Sequence, residues 1–267
     1  APALAPSGEA SLAMLAGVGP AVAGKLQARG LGTLQDLWLH LPLRYEDRTR
    51  LTLIEDLRSG VPAQVEGRVM AVERGMRYRP MHKVAIEDEG RGTLVLRFFH
   101  FRQQQLGQFA VGNRLRCFGT PRPGQLGLEI VHPSYQVLGR HDDPALGDRL
   151  DPVYPAVEGV GPATMRKLIL QALERLPDES LLELLPPGWL DGLGLPSLRS
   201  ALLTVHQPPQ DADLSALANG IHPAQRRLAL EELLAHHLSL RRQRIALQAH
   251  HAPPLDGPGR LAKALLK

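Results

Sequence analysis

Five short runs in the middle of the chain alternate apolar and polar residues, and they constrain the fold more than any other feature. The runs have the length of strands and are separated by turn-forming residues; they are Ala63–Glu73, Met81–Asp88, Gly92–Phe99, Asn113–Gly119 and Gly127–Val131. A period of two places every second side chain on one face of a sheet. Five such strands, with a small helix around Gln103–Phe109, predict an OB-type five-stranded β-barrel.

Apolar residues at helical spacing precede and follow these strands, so we predict an α+β protein in which helical regions flank the barrel. The longest helix is expected from His222 to about Gln248. The predicted organisation is a helical region at 1–50, the barrel at 51–140, a second helical region at 141–220, the long helix at 221–250 and a linker at 251–267.

The sequence Gly-Val-Gly-Pro occurs twice, at Gly17–Pro20 and Gly159–Pro162, each time with a Lys-Leu pair five residues later. Two interpretations stay open for each copy. One is a helix-hairpin-helix unit whose backbone N–H groups contact DNA phosphates, and the other is a plain corner between helices. The first copy also resembles a nucleotide-binding P-loop, but Leu26 stands where that loop needs Ser or Thr, and no strand precedes it. We therefore exclude a nucleotide site here.

Three aromatic rings and two guanidiniums fall within the six residues Arg97–Arg102, and all five phenylalanines lie between Phe98 and Phe118. Rings beside cations suit nucleic acid, because a base offers a π-face and its phosphate a negative charge. Each ring taken singly has a competing interpretation as a core residue. Neighbouring strand residues point to opposite faces, however, so Phe98 and Phe99 cannot share one core and at least one ring is expected to face outward.

Positive charge is concentrated in the same region. Between Val61 and Leu138 there are eleven Lys and Arg residues against six acids, whereas the rest of the chain sums to −1 within a net charge of +4. A basic segment that also contains most of the aromatic rings is typical of a nucleic-acid-binding surface. The competing interpretation is a strand face whose charged side chains are only solvated. The turn Gly75–Pro80 carries Arg77, Tyr78 and Arg79 and is expected to form one wall of a binding groove.

Several classes of protein are disfavoured by the composition. No run of eighteen apolar residues and no secretory leader occurs, so we expect a cytoplasmic protein without membrane partners. A single cysteine, Cys117, excludes an internal disulfide and cannot anchor a zinc site alone. His222, His236 and His237 lie at helical positions with no nucleophile or metal ligands nearby, which disfavours a hydrolase.

Several motifs, in this order, resemble the N-terminal region of the RecG family of bacterial ATP-dependent DNA helicases. They are Leu15–Gly19, Leu41–Arg48, Gly67–Val69, Leu96–Phe101, His132–Pro133, Pro152–Pro155 and Arg226–Leu233. The resemblance implies an OB-type wedge domain that is inserted at the branch point of a replication fork or Holliday junction. It further implies that aromatic residues of the wedge stack on the bases left unpaired at the branch.

The resemblance assigns the stacking pair to Phe98 and Phe99, and we choose Phe99 as the ring that stacks. A second stacking position falls at Gln103, where an aromatic residue would be more effective. The full set of predicted DNA-binding residues is Phe98, Phe99, Phe101, Arg97, Arg102, Gln103, Arg77, Tyr78, Arg79, Lys83 and Arg116.

No motif of a helicase motor accompanies the wedge, so we expect no enzymatic activity from this chain alone and read it as the N-terminal part of a longer helicase. The resemblance implies that ATP and magnesium belong to the motor domains and that this part carries no cofactor. Expected partners are branched DNA and a single-stranded DNA-binding protein, and we expect a monomer located with the bacterial nucleoid. The alternative function is an OB-type interaction module that docks an acidic segment of a partner.

Overall fold

A computed structural model of the chain describes residues 8–75, 81–99, 107–139, 145–186, 188–249 and 259–266. In this part of the chain the structure is α+β, with a mixed sheet and helices before and after it. The strands are β1 (Arg44–Glu46), β2 (Ala63–Gly75), β3 (Met81–Glu87), β4 (Thr93–Phe98), β5 (Arg114–Gly119), β6 (Pro121–Gly124), β7 (Gly127–Val131), β8 (Ser134–Leu138) and β9 (Asp151–Val153).

The helices of the described ranges lie mainly after the sheet. They are α1 (Pro20–Gln27), α2 (Leu34–Trp38), α3 (Pro162–Leu173), α4 (Glu179–Leu182), α5 (Trp189–Leu193), α6 (Leu198–His206), α7 (Leu214–Ala218), α8 (Pro223–Gln248) and α9 (Arg260–Leu265). None of the helices in these ranges combines the length and apolar character needed to cross a membrane. A 3-10 turn at Leu12–Met14 precedes α1, and Gly17, whose φ is +93°, lies between the two.

Seven strands form one mixed sheet in the order β6-β7-β4-β3-β2-β5-β8. The pair β4–β7 is parallel, with Leu96 opposite Ile130, and the other neighbouring pairs are antiparallel. The five predicted strands are all present. The number five is nevertheless too low, because Pro121–Gly124 and Ser134–Leu138 also pair. These two runs lie next to predicted strands, separated from them only by Thr120 and by His132 and Pro133.

Alternation along the central strands builds the core of the sheet. Val84 and Ile86 of β3 face Leu94 and Leu96 of β4, and all four side chains are fully buried. A β-bulge at Met70 shifts the register of β2 against β3, since Val69 pairs with Ile86 while Ala71 pairs with Ala85. The bulge bends the long strand β2, which pairs with β5 through its first half and with β3 through its second.

A second core joins helical residues from both ends of the chain. Leu26, Leu34 and Leu37 pack in one cluster with buried residues of α3, α6 and α8, among them Leu168 and Leu202. The indole N–H of Trp38 donates to the carbonyl of Ala172 at 2.8 Å inside this cluster. The helical residues before and after the sheet therefore share one hydrophobic core.

The two Gly-Val-Gly-Pro sequences each begin a helix, α1 at Pro20 and α3 at Pro162, where proline suits the first turn. Each copy is held by the other helix. Lys25 of α1 donates to the carbonyl of Gly159 at 3.2 Å, and the amide of Gln171 in α3 both accepts from and donates to the backbone of Ala16. These contacts give both Gly-Val-Gly-Pro sequences a structural role. Neither joins two α-helices as expected, because the described element before α1 is a 3-10 turn and the one before α3 is strand β9.

A short ribbon, β1 with β9, connects the helical core to the sheet. Tyr45 pairs with Pro152 across it, and the Tyr45 hydroxyl donates to the carbonyl of Val205 in α6. Arg48, just after β1, donates to the Ser134 hydroxyl of β8 at 2.9 Å. The chain enters and leaves the sheet region side by side through this ribbon.

Candidate nucleic-acid interface

Phe98, the last residue of β4, belongs to the core of the sheet. Its side chain is 4% exposed, since it follows Leu94 and Leu96 on the inward face. The ring lies 5.0 Å from that of Phe109 and 5.8 Å from that of Tyr135, measured between centroids. A ring enclosed in this way stabilises the fold and offers no face to a base.

Phe99 lies one residue beyond β4 and is half-buried, outside the two buried clusters. Its ring is tilted against that of His132 at 5.8 Å, and its backbone N–H donates to His132 Nε2 at 3.3 Å. His132 occupies the corner between β7 and β8 with a φ of +48°, and its own N–H donates to the carbonyl of Arg97 at 2.8 Å. The corner residue thus holds the chain on both sides of Phe98.

The predicted cationic residues that the structure describes are each paired with a carboxylate. Arg97 contacts Glu129 at 2.6 Å, Lys83 contacts Glu73 at 3.3 Å, and Arg116 contacts Glu66 at 3.1 Å. The three cationic side chains are at most 19% exposed. These cations therefore form ion pairs on the outer face of the sheet. A phosphate would have to compete with the carboxylate that each cation already contacts.

The remaining predicted site residues lie outside the described residues. They are Phe101, Arg102, Gln103, Arg77, Tyr78 and Arg79. Their roles stay predictions from the sequence. Of the predicted set, the described residues Arg97, Phe98 and Phe99 lie together at the end of β4, and Lys83 pairs with Arg97 across the neighbouring strand β3. Arg116 lies on β5, beyond β2 in the strand order.

Beside Phe99 lies a groove that the sequence did not indicate, with a volume of about 640 Å³. We call it the basic groove; among its lining residues are Arg44, Glu46, Arg48, Phe118, Arg122 and His132. These residues come from β1, from the ends of β5 and β6 and from the corner after β7, so only the folded chain brings them together.

The guanidinium of Arg48 forms the floor of the basic groove. It lies 4.4 Å above the centre of the Phe118 ring and contacts Glu46 at 2.8 Å. The side chains of Arg44 and Arg122, by contrast, are 64% and 51% exposed. Arg122 shares Glu129 with Arg97, which links the groove to the outer face of β4.

A second groove, of about 450 Å³, lies on the outer face of β2 and β3 and has the opposite charge balance. Four acidic residues line it, namely Glu66, Glu87, Asp88 and Glu89, together with two arginines. Nucleic acid is repelled by such a surface. The two grooves therefore differ in the charge of the ligand they suit.

The groups whose pKa values are shifted contribute to the stability of the fold and not to a reactive site. Burial lowers the pKa of His206 to about 4, and its neutral ring donates to the carbonyl of Trp38 while accepting from the Tyr154 hydroxyl. Burial raises the pKa of the Cys117 thiol to about 12, which removes it as a nucleophile at neutral pH. His222, one of the histidines considered for hydrolysis, caps α8 by accepting from the N–H of Ala224. Among the described residues, no three His, Cys, Asp or Glu side chains gather as metal ligands.

Comparison with known proteins identifies a matching family. The family model described as the RecG wedge domain matches residues 12–176. The chain is 46% identical over 255 residues to the ATP-dependent DNA helicase RecG of Escherichia coli strain K12, covering 96% of this chain and 36% of that protein. It is 27% identical over 256 residues to RecG of Thermotoga maritima, covering 94% of this chain and 31% of the relative.

A solved structure has a similar fold. The structure of RecG bound to a three-way DNA junction matches with a TM-score of 0.61 and 23% identity, covering 97% of this chain and 34% of that chain. The chain thus spans about a third of the length of the proteins that it matches.

Proposed function

The chain belongs to the RecG wedge-domain family, and from that premise we propose that it binds branched DNA as the wedge region of an ATP-dependent helicase. Its role would be to separate strands at the branch point of stalled forks and Holliday junctions during repair and recombination. ATP hydrolysis, with its magnesium, is assigned to the parts of the longer relatives that this chain does not match. The wedge contributes binding and strand separation.

We further infer that the seven strands form an OB-type barrel of five chain runs. Strands β5 and β6 form one run bent at Thr120, and β7 and β8 form another bent at His132 and Pro133. The second run supports closure, because its first half pairs with β4 and its second half with β5, which lie on opposite sides of β3 and β2 in the strand order. OB-type barrels commonly bind single-stranded nucleic acid across one face.

The observation that carries the proposed function is the contrast between the two adjacent rings. Phe98 is enclosed by Phe109 and Tyr135, whereas Phe99 lies beyond the strand beside the basic groove. Opening a base pair loses stacking of about 1.4 kcal/mol per step, and a ring stacked on the freed base returns about 1–3 kcal/mol. One ring in the position of Phe99 is enough to hold a branch open by one step.

The further members of the predicted site stay part of this proposal. Phe101, Arg102 and Gln103 would extend the stacking surface along the chain after Phe99, and Arg77, Tyr78 and Arg79 would form the opposite wall. The proposal also includes a monomeric protein in the bacterial cytoplasm, associated with the nucleoid, and a single-stranded DNA-binding protein as a partner.

Alanine substitutions at the two rings test the proposed function. Affinity for a three-way junction and for plain duplex is measured at matched salt for the wild-type chain, Phe99→Ala and Phe98→Ala. We expect Phe99→Ala to lose about five- to a hundredfold in junction affinity with unchanged thermal stability. Phe98→Ala, the matched control, is expected to destabilise by about 3–5 kcal/mol because it empties a core position. Equal junction and duplex affinity in the wild-type chain would overturn the proposal.

A further inference from the structure

We propose that the groove on the outer face of β2 and β3 is a docking site for a partner protein, which it binds through a segment that carries both basic and apolar side chains. We call it the acidic groove; its lining includes Leu51, Leu53, Met70, Glu87 and Glu89. A protein ligand is thereby assigned to a surface that takes no part in stacking, which goes beyond the proposed function. The ligand is also opposite in charge to the acidic segment considered from the sequence.

Two of the four carboxylates of the acidic groove are engaged by the fold itself. Both oxygens of Asp88 accept backbone N–H groups, at 2.6 Å from Ile54 and at 2.8 Å from Gly92. The carboxylate of Glu66 contacts the guanidinium of Arg114. These two acidic side chains therefore hold the walls of the groove in place.

Glu87 and Glu89 supply the negative charge that is left for a ligand. In the register of β2 and β3, Arg68 lies opposite Glu87, yet its guanidinium donates to the carbonyl of Gly112 at 3.2 Å. Within the described part of the chain, neither Glu87 nor Glu89 forms an ion pair. A lysine or arginine of a partner would therefore meet these carboxylates without first displacing another cation.

The acidic groove also exposes apolar side chains. Leu51 and Leu53 are each 43% exposed, and the N–H of Thr52 between them donates to the carbonyl of Gln64, which holds this segment against β2. Met70 is 49% exposed and lies at the β-bulge, an irregularity that re-aims the side chain at its position. Apolar side chains beside unpaired carboxylates suit a peptide that carries both basic and apolar residues.

The acidic groove and the proposed stacking ring lie at opposite ends of β4. Glu87 pairs with Thr93 at the start of this strand, whereas Phe99 follows its last residue. At a rise of about 3.3 Å per residue, the strand keeps the two sites about 20 Å apart. A partner in the acidic groove would therefore leave the DNA site open, and the chain would hold a protein and a DNA branch at the same time.

Titration of the chain with three short peptides tests the proposed docking site. One peptide alternates lysine with leucine, one contains lysine alone, and one alternates glutamate with leucine. Calorimetry measures each affinity, and the chemical shifts of the backbone amides locate the peptide. We expect the lysine–leucine peptide to bind most tightly, to shift the amides of the acidic groove, and to bind more weakly as added salt screens the carboxylates.

Substitutions in the acidic groove separate the charged from the apolar contribution. Glu87→Gln and Glu89→Gln should each lower the affinity for the lysine–leucine peptide about twofold to fivefold, because each removes one solvent-accessible ion pair. Met70→Ser should lower it about threefold to tenfold through the lost apolar contact. Glu232→Gln, which replaces an exposed acid of α8 outside the groove, is the matched control and should bind as the wild-type chain does. Thermal melting of each variant establishes that it is folded.

Several results would overturn the docking site. They are the absence of saturable binding of the lysine–leucine peptide, binding that the two glutamine variants leave unchanged, or equal binding of the glutamate–leucine peptide. Equal binding of the lysine-only peptide, with no effect of Met70→Ser, would show that charge alone attracts the peptides. Self-association of the chain in sedimentation that the same variants abolish would assign the groove to a second copy instead.

The proposed function is tested separately. Junction affinity should be unchanged in Glu87→Gln and Glu89→Gln, because the groove lies further from Phe99 than the screening length of about 10 Å. If the wild-type chain fails to prefer junctions, the wedge role fails while the peptide titrations still decide the docking site.

Discussion

The backbone N–H of Phe99 donates to the Nε2 atom of His132 across 3.3 Å, and the two rings lie 5.8 Å apart. His132 is itself fixed by a left-handed backbone and by its N–H bond to the carbonyl of Arg97. The corner between β7 and β8 therefore sets the position of a residue that follows β4. A residue from another strand pair therefore fixes the position of Phe99, the ring that we propose to stack.

Replacing His132 with glycine should release Phe99 without unfolding the sheet. Glycine accepts a φ of +48° but supplies no acceptor, so Phe99 loses a hydrogen bond worth about 1 kcal/mol and a ring contact. We expect junction affinity to fall several-fold and the Phe99 amide to exchange faster with solvent. His132→Asn is the control, because asparagine tolerates this backbone and keeps a side-chain oxygen. Unchanged exchange at Phe99 in the glycine variant would contradict the expectation.

Local patterns predicted most of the elements. The run Gly127–Val131 has the observed bounds of β7, and the expected long helix 222–248 differs from α8 by one residue. Alternation along β4 predicted that only one of the rings of Phe98 and Phe99 is part of the core, because successive side chains of a strand point to opposite faces. The side that each ring took was decided by Phe109 and His132, which lie elsewhere in the sequence.

The carboxylate partners of the basic residues could not be predicted from the sequence. Arg97 is opposite Val131 in the parallel pair β4–β7, and that register brings Glu129 to its guanidinium. Nothing local to Arg97 states which strand lies beside it or in which register. The basic groove was missed for the same reason, because Arg44 and Arg122 are brought together only when the β1–β9 ribbon lies beside the sheet.

Arg227 is expected to be essential for the stability of the helical core. Its fully buried guanidinium donates to both carboxylate oxygens of Glu183, which in turn accepts from the N–H groups of Leu185 and Leu198. Arg227→Ala leaves that carboxylate without its cation, and we expect a loss of about 3 kcal/mol in the free energy of unfolding. Urea denaturation measures the loss. Arg226→Ala, next in sequence and exposed, should change stability by about 0.5 kcal/mol or less, and an equal effect of both variants would argue against the ion pair.

Two glycine-to-alanine substitutions should have opposite signs. A Cβ atom at Gly67 would lie 2.9 Å from the backbone oxygen of Glu87 on the neighbouring strand, so Gly67→Ala must displace β3 and should cost about 1–3 kcal/mol. At Gly24, inside α1, a Cβ atom meets no other atom within 4 Å. Gly24→Ala should stabilise by about 0.5–1 kcal/mol through helix propensity. Melting temperatures of the two variants on opposite sides of the wild-type value are the expected result.

Mild acid should weaken the fold through His206. Burial lowers its pKa from 6.5 to about 4, so the unfolded chain takes up the proton first as the pH falls. The contribution of the neutral His206 ring to stability is complete above pH 6.5. It is lost progressively down to about pH 4, by about 1.4 kcal/mol per pH unit. The pKa of His40 is also lowered by burial, which adds to the loss in the same direction.

Denaturation at pH 7 and pH 5 checks this dependence. The wild-type chain should lose about 2 kcal/mol between these values. His206→Gln keeps a donor for Trp38 and an acceptor for Tyr154 but does not titrate, so it should lose clearly less. Burial would raise the pKa of Glu183, but hydrogen bonds from Leu198, Leu185 and Arg227 outweigh the effect of burial, and the pKa is lowered. Protonation of this carboxylate therefore reduces stability only below its ordinary pKa of 4.5. Equal losses for both chains would exclude His206 as the source.

The core shared by the two helical regions has a consequence for synthesis on the ribosome. Leu26, Leu34 and Leu37 are translated early, yet the residues that bury them reach as far as Leu228. At about 5–20 residues per second, those leucines stay uncovered for on the order of ten seconds or more. The sheet, whose core runs from Ile54 to Ile130, can fold during that interval. We therefore expect the nascent chain to carry a folded sheet while the two halves of the helical core are still apart.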